Sequence, residues 1–144
     1  IVMNNIIIDN LKEILKKIGL SDIMVKEMEQ SKGFVTSGYN IIYEICGDEN
    51  HTIILTIDKK DALTIAEKLL NEKLEEINKK ALDHLIGLVQ LIGKKIKLQL
   101  KKKYSNINSL KPYLIETKKF RCIDNIYNNY IIKFKEGKFL FKFC

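Results

Sequence analysis

The residues best suited to chemistry are two histidines, His51 and His84, and three cysteines, Cys46, Cys122 and Cys144. Neither histidine has a cysteine or a second histidine at metal-ligand spacing. The cysteines are odd in number, far apart and outside any C-x-x-C arrangement. The sequence also contains no H-E-x-x-H, G-x-S-x-G, phosphate-binding glycine loop or calcium loop. We therefore predict neither a metal site nor a disulfide framework, and no cofactor for this chain.

His84 lies in a stretch from Ala81 to Leu100 that has the spacing of an amphipathic helix. Its apolar residues at spacings of three and four predict one buried stripe, formed by Leu82, Leu85, Val89, Ile92 and Ile96. The opposite face is also unusually apolar and contains His84, Leu88, Leu91, Lys95 and Leu98, with Gly87 beside it. Gly87 and Gly93 should each cost about 1 kcal/mol relative to alanine, unless close packing or a partner requires them. We predict that this helix is covered on both faces.

The flanking segments supply the elements that must position this helix. A first helix should run from Ile6 to Ile18 and end at Gly19, and Gly38 to Ile57 should form a hairpin that turns at residues 47–50. A short helix should begin after Asp58 and end at Asn71, and the long helix should run from about Leu74 to about Tyr104. Further strands are predicted at the segments 21–29, 110–117, 120–126, 130–135 and 138–143, with turns at 31–33, 128–129 and 136–137.

This order of elements predicts an α+β fold with a mostly antiparallel sheet and the helices packed on one face. The 144 residues, 46% of them hydrophobic, fit one domain spanning residues 1–144. No apolar run approaches the roughly 18 residues of a membrane span, and the N-terminal residues do not resemble a signal peptide. We expect a cytoplasmic protein without membrane attachment.

The net charge of +7 raises nucleic acid as a partner. All but one of the 25 basic residues are lysine, however, and Arg121 is the exception. Bidentate recognition of phosphate or guanine favours arginine, so nucleic-acid binding through the lysines at 94, 95, 97 and 101–103 is the weakest of the functional alternatives.

One resemblance is carried by three segments: GYNIIYEICGDENHTIILTIDKKDALTIAEKLL, LEEINKKALDHLIGLVQLIGKKIKLQL and NSLKPYLIE. The order of hairpin, short helix, long helix and proline-containing strand resembles the CheC/CheX/FliY family of bacterial chemotaxis phosphatases, with CheX the most similar member. The resemblance covers about Gly38 to Glu116, and it implies docking of the long helix on a phosphorylated response regulator of the CheY type. It also implies a homodimer, and any Mg²⁺ required for phosphatase activity would be held by the regulator.

In that family a Glu-x-x-Asn pair on the long helix performs the reaction, and the asparagine amide orients the attacking water. The match places His84 at the glutamate and Gly87 at the asparagine, so no amide stands at the reactive position. A Glu-x-x-Asn does occur at residues 75–78, but nine residues of helix would turn it to the opposite side and displace it by roughly 13 Å.

The sequence and the resemblance together lead to three hypotheses for the function. The first is a non-catalytic CheX-like module that binds a response regulator or itself through His84, Gly87, Leu88, Leu91 and Lys95. The second is an active phosphatase of a phosphorylated CheY-type regulator that uses residues outside the family pattern. The third is the nucleic-acid binding protein described above.

Overall fold

The computed structural model describes the backbone of residues 2–144 and the side chains of residues 3–32, 38–116 and 126–144. The elements in chain order are α1 (Val2–Lys17), β1 (Met24–Gly47), β2 (His51–Ile57), α2 (Lys59–Leu70), α3 (Lys79–Lys101), β3 (Ile107–Ser109), β4 (Tyr113–Phe134) and β5 (Gly137–Phe143). The predicted α+β class, with one long helix, is confirmed.

The strands form one antiparallel sheet in which β1 pairs with β2, β3 and β4, while β5 pairs with β2 and β4. The predicted hairpin is correct, and its register runs from Tyr39 opposite Ile57 to Ile45 opposite His51. Alternate residues of β1 face opposite sides of the sheet because a strand has a period of two. Ile41, Tyr43 and Ile45 therefore pack with the helices.

The helices cover one face of the sheet. Leu11 and Ile14 of α1 share a core with Leu85, Val89 and Ile92 of α3 and with the inward residues of β1 and β2. On the other face of the sheet a smaller apolar cluster contains Ile42, Ile54 and Tyr127. The buried stripe predicted for the long helix is thus correct, apart from Leu82, which is only partly buried.

Two predicted turns are wrong, because β1 and β4 are long continuous strands. Residues 31–33 lie inside β1, and Asn128 and Asn129 lie inside β4. Asn129 pairs with Met28 of β1, and Asn128 pairs with Phe143 of β5. Asn129 is accommodated because its Nδ2 donates to the Glu29 carbonyl at 3.0 Å and to Ser31 Oγ at 2.9 Å. The predicted strands 110–117, 120–126 and 130–135 are largely parts of β4, and Pro112 immediately precedes its first residue.

The helix ends follow the capping residues. The Asp58 side chain accepts from the Asp61 backbone N–H at 2.8 Å, and Asn71 ends α2 in the left-handed conformation at φ 54°. Gly19 follows α1 with φ 97°, as predicted. The predicted bounds of the long helix are too wide, because α3 begins only after Asn78, whose side chain accepts from the Ala81 backbone N–H at 2.8 Å.

Candidate functional site

The exposed face of α3 carries three of the five site residues predicted from the sequence, His84, Gly87 and Leu91. Asp83, His84, Gly87, Leu91 and Lys94 are exposed and follow one another at intervals of one to four residues, on the side of α3 away from its buried stripe. Leu98 continues the face and is 59% exposed.

A groove of about 400 Å³ lies along the first half of this face. Its α3 lining is Asp83, His84, Gly87, Leu88 and Leu91, and the rest comes from Ile18, just beyond α1, and from Leu69 of α2. The sequence analysis assigned neither Ile18 nor Leu69 to a site. No local signal shows that the C-terminal ends of two helices meet beside a third.

Leu88 does not lie where the sequence placed it. It is only 3% exposed and belongs to the core, whereas Leu91, one turn further along, is 45% exposed. The buried sector of α3 is wider than the predicted stripe, because α3 packs against both α1 and α2 as well as against the sheet. Leu88 therefore forms the floor of the groove, and Leu91 is the apolar side chain available for contact.

The two glycines of α3 occupy opposite environments. A Cβ placed on Gly93 would lie 2.5–2.8 Å from three ring atoms of Tyr43, so this glycine permits close packing of the helix on β1. A Cβ placed on Gly87 would have no described atom within 4 Å beyond its immediate surroundings in the helix. The space beside Gly87 is open to a partner.

His84 is exposed, and its Nδ1 lies 2.9 Å from the backbone carbonyl oxygen of Lys80, one turn earlier. This contact fixes the orientation of the imidazole on the helix surface, next to the groove. The predicted site residue is therefore accessible and held in one orientation.

Lys95 is used within the fold. Its Nζ lies 2.9 Å from Glu13 Oε1 of α1, and the same oxygen accepts from Lys17 at 3.1 Å. Both hydrogen bonds lower the pKa of Glu13 from its ordinary 4.5, and the bond from Lys95 has the larger effect. Lys95 joins α1 to α3 at the side of the exposed face, and its contact with a partner stays a prediction.

The Glu-x-x-Asn at residues 75–78 is not a helical pair. The sequence analysis placed it on the early turns of the long helix, but residues 75–77 precede α3 and Asn78 is its N-cap. The Asn78 amide oxygen is occupied by the Ala81 N–H. The segment therefore has a structural role in starting α3.

Within the side chains that the structure describes, no group of three or more histidine, cysteine or acidic residues could hold a metal ion. None of the helices in the described part of the chain is long and apolar enough to cross a membrane.

Comparison with known proteins identifies the fold. No protein-family model matches the sequence, and no curated protein does. Among solved structures, the CheX chemotaxis protein of Desulfovibrio desulfuricans has a TM-score of 0.78 at 14% identity and covers 100% of this chain and 99% of its own. CheX from Vibrio vulnificus gives the same TM-score, identity and coverage. A chain of the CheX–CheY–BeF₃–Mg²⁺ complex from Borrelia burgdorferi has a TM-score of 0.69 at 16% identity, and the match covers 96% of this chain and 94% of that chain.

The protein is an α+β domain in which one face of the long helix is exposed beside a groove. The fold is that of the CheC/CheX/FliY family. The resemblance seen in the sequence is confirmed as to fold.

Proposed function

We propose that this protein is a CheX-like signalling module that binds a CheY-type response regulator through the exposed face of α3. The observation that carries the proposal is the apolar groove beside His84, Gly87 and Leu91 in a fold whose Borrelia relative forms a complex with CheY. A groove lined largely by apolar atoms and open at its centre is suited to an apolar side chain from a partner surface.

The module binds without hydrolysing the regulator's phosphoryl group. Water attack on an acyl phosphate is accelerated by a side chain that positions the water, and Gly87 has none at the matching position. The amide of Asn78 cannot substitute for it, because it caps the start of α3 nine residues earlier. An active phosphatase using other residues is the competing function.

Binding is tested by titrating the chain into a CheY-type regulator from the same source, with and without Mg²⁺ and BeF₃⁻. Leu91→Glu places a charge in the groove and should weaken binding by about tenfold or more, or at least about 1.4 kcal/mol. Met28→Glu is the matched control, because Met28 on β1 is 46% exposed against 45% for Leu91. Equal affinities for wild type and Leu91→Glu, or no binding to any regulator, would contradict the proposal.

Hydrolysis is tested by following phosphate release from the phosphorylated regulator. We expect the wild type to release phosphate no faster than the regulator does alone, and a faster rate would favour the phosphatase. The double variant His84→Glu with Gly87→Asn restores the family pair in a place that has room for it. We expect this variant to accelerate phosphate release. A variant that binds the regulator without accelerating release would show that residues 84 and 87 of α3 do not match the positions of the family's Glu-x-x-Asn pair.

Homodimerisation, which the resemblance implies, remains a prediction. Light scattering over a range of concentrations measures it directly. A single mass equal to the monomer at all concentrations would exclude it.

A further inference from the structure

We infer that His84 is a phosphoryl acceptor, whose Nε2 takes the phosphoryl group from the aspartyl phosphate of the docked regulator. This inference rests on the proposed function, because it requires regulator binding at the α3 face. It adds a reaction that needs neither the missing amide nor an attacking water.

The hydrogen bond of His84 determines which nitrogen can react. A carbonyl oxygen only accepts hydrogen bonds, so the contact between Nδ1 and the Lys80 carbonyl at 2.9 Å requires the hydrogen on Nδ1. In the neutral imidazole the lone pair then lies on Nε2. The backbone thus holds the ring in its Nε2-nucleophilic tautomer, as the third member of a nucleophilic triad orients a base.

The surroundings of His84 favour an incoming phosphoryl group. The first turn of α3 contains no acidic residue and begins with Lys79 and Lys80, at the helix end that attracts anions. Lys80 Nζ also lies 3.8 Å from Glu72 Oε1, so Lys79 is the cation of this turn without that ion pair. Asp83 is the one acidic group in the groove lining, and it is exposed to solvent. Gly87, one turn on, leaves open space for the partner's surface to approach.

The transfer balances without another reactant. The Nε2 lone pair forms a bond to phosphorus while the bond between phosphorus and the aspartyl oxygen breaks, and its electron pair leaves with the aspartate carboxylate. The imidazole becomes an N-phosphorylated imidazolium that retains its Nδ1 hydrogen on the Lys80 carbonyl. Loss of that proton to solvent restores a neutral ring.

His51 supplies an internal control. Its Nδ1 also contacts a backbone carbonyl, that of Cys144 at 3.1 Å, so it holds the same tautomer. Its Nε2, however, is buried and has no hydrogen-bond partner in the described part of the chain, and its ring stacks on Phe143 with centroids 5.0 Å apart. Both histidines therefore carry the hydrogen on Nδ1, but only His84 is exposed to a partner.

The test uses a CheY-type regulator labelled with ³²P and freed of its small phosphodonor, mixed with the full chain in Mg²⁺. We expect label to move to the chain in a form that is stable to alkali and labile to acid, as a phosphorus–nitrogen bond is. His84→Gln should reduce the label to background, while His51→Gln should be labelled like the wild type. Circular dichroism of the His84→Gln variant checks that it is folded.

Three results would overturn the inference. If the chain binds the BeF₃-activated regulator but takes up no label, the inference fails and the proposed function stands. Label that persists in His84→Gln would place the acceptor elsewhere. If no binding is seen, the proposed function itself fails, and the phosphoryl transfer with it.

Discussion

The two glycines of α3 allow a paired test of how this helix is packed. Gly87→Ala and Gly93→Ala make the same chemical change six residues apart in one helix. Each should gain about 1 kcal/mol of helix propensity, because alanine loses less backbone entropy on folding than glycine. This gain is common to both variants and cancels when they are compared.

The remaining difference is the packing of the added methyl group. At Gly87 the methyl group meets no described atom within 4 Å beyond its immediate surroundings in the helix, so the full gain should appear as a more stable protein. At Gly93 it would approach the Tyr43 ring to 2.5 Å, and Tyr43 is only 1% exposed and cannot move aside freely. Overpacking of this kind costs about 1–3 kcal/mol.

Urea unfolding and thermal unfolding, both followed by circular dichroism, measure the stability of the two variants. We expect Gly87→Ala to be about 1 kcal/mol more stable than wild type, with a melting temperature about 3 °C higher. Gly93→Ala should be about 1–3 kcal/mol less stable than Gly87→Ala. Equal free energies of unfolding for the two variants would refute the assigned contact between α3 and β1, and destabilisation by Gly87→Ala would refute the open space at the groove.

Five further substitutions, in three comparisons, test other assignments in the fold. Asn78→Ala should lower the free energy of unfolding by about 1 kcal/mol through loss of the N-cap, while Glu75→Ala should have little effect, and equal losses would contradict the cap. Leu88→Ala should cost about 2–5 kcal/mol and Leu91→Ala much less, in the same urea assay, and the reverse order would show that the groove floor is misassigned. Burial, and then the negative charge of Asp58, raise the pKa of Asp61 above its ordinary 3.8, so its contribution to stability is complete below about pH 4 and is lost as the pH rises through the folded value. Unfolding of wild type and Asp61→Asn from pH 3.5 to 7 should therefore show wild type losing stability relative to the variant, and a constant difference would contradict the raised pKa.

The sequence predicted the helices and the hairpin because their signals are local. Asp58 and Asn71 bound α2 through contacts within a few residues, and the alternation at Ile41, Tyr43 and Ile45 needs only a strand and a core. Helix and strand periodicity follow from such short-range patterns. The start of α3 was misplaced because residues 74–77 are compatible with a helix. In the structure the Leu74 N–H donates to the Glu67 carboxylate, and the Asn78 side chain caps the helix that follows.

The long strands could not be predicted, because turn-forming composition is also a local signal. Asn129 reads as a turn residue, yet in β4 its amide bonds to Glu29 and Ser31, about 100 residues earlier in the chain. Shifts in register near Met28 and Gly38 allow β1 and β4 to stay paired despite irregular spacing. The groove is equally non-local, since Ile18, Leu69 and α3 meet only in the folded protein.

Photocrosslinking tests the central claim, that the groove face of α3 is the regulator-binding surface, most directly. A benzoylphenylalanine is placed at Asp83, which lines the groove and is exposed, and separately at Met28 on β1. With a BeF₃-activated CheY-type regulator, we expect a covalent adduct from position 83 and none from position 28. An adduct from position 28 alone, or from neither position under conditions where the two proteins bind, would contradict the account.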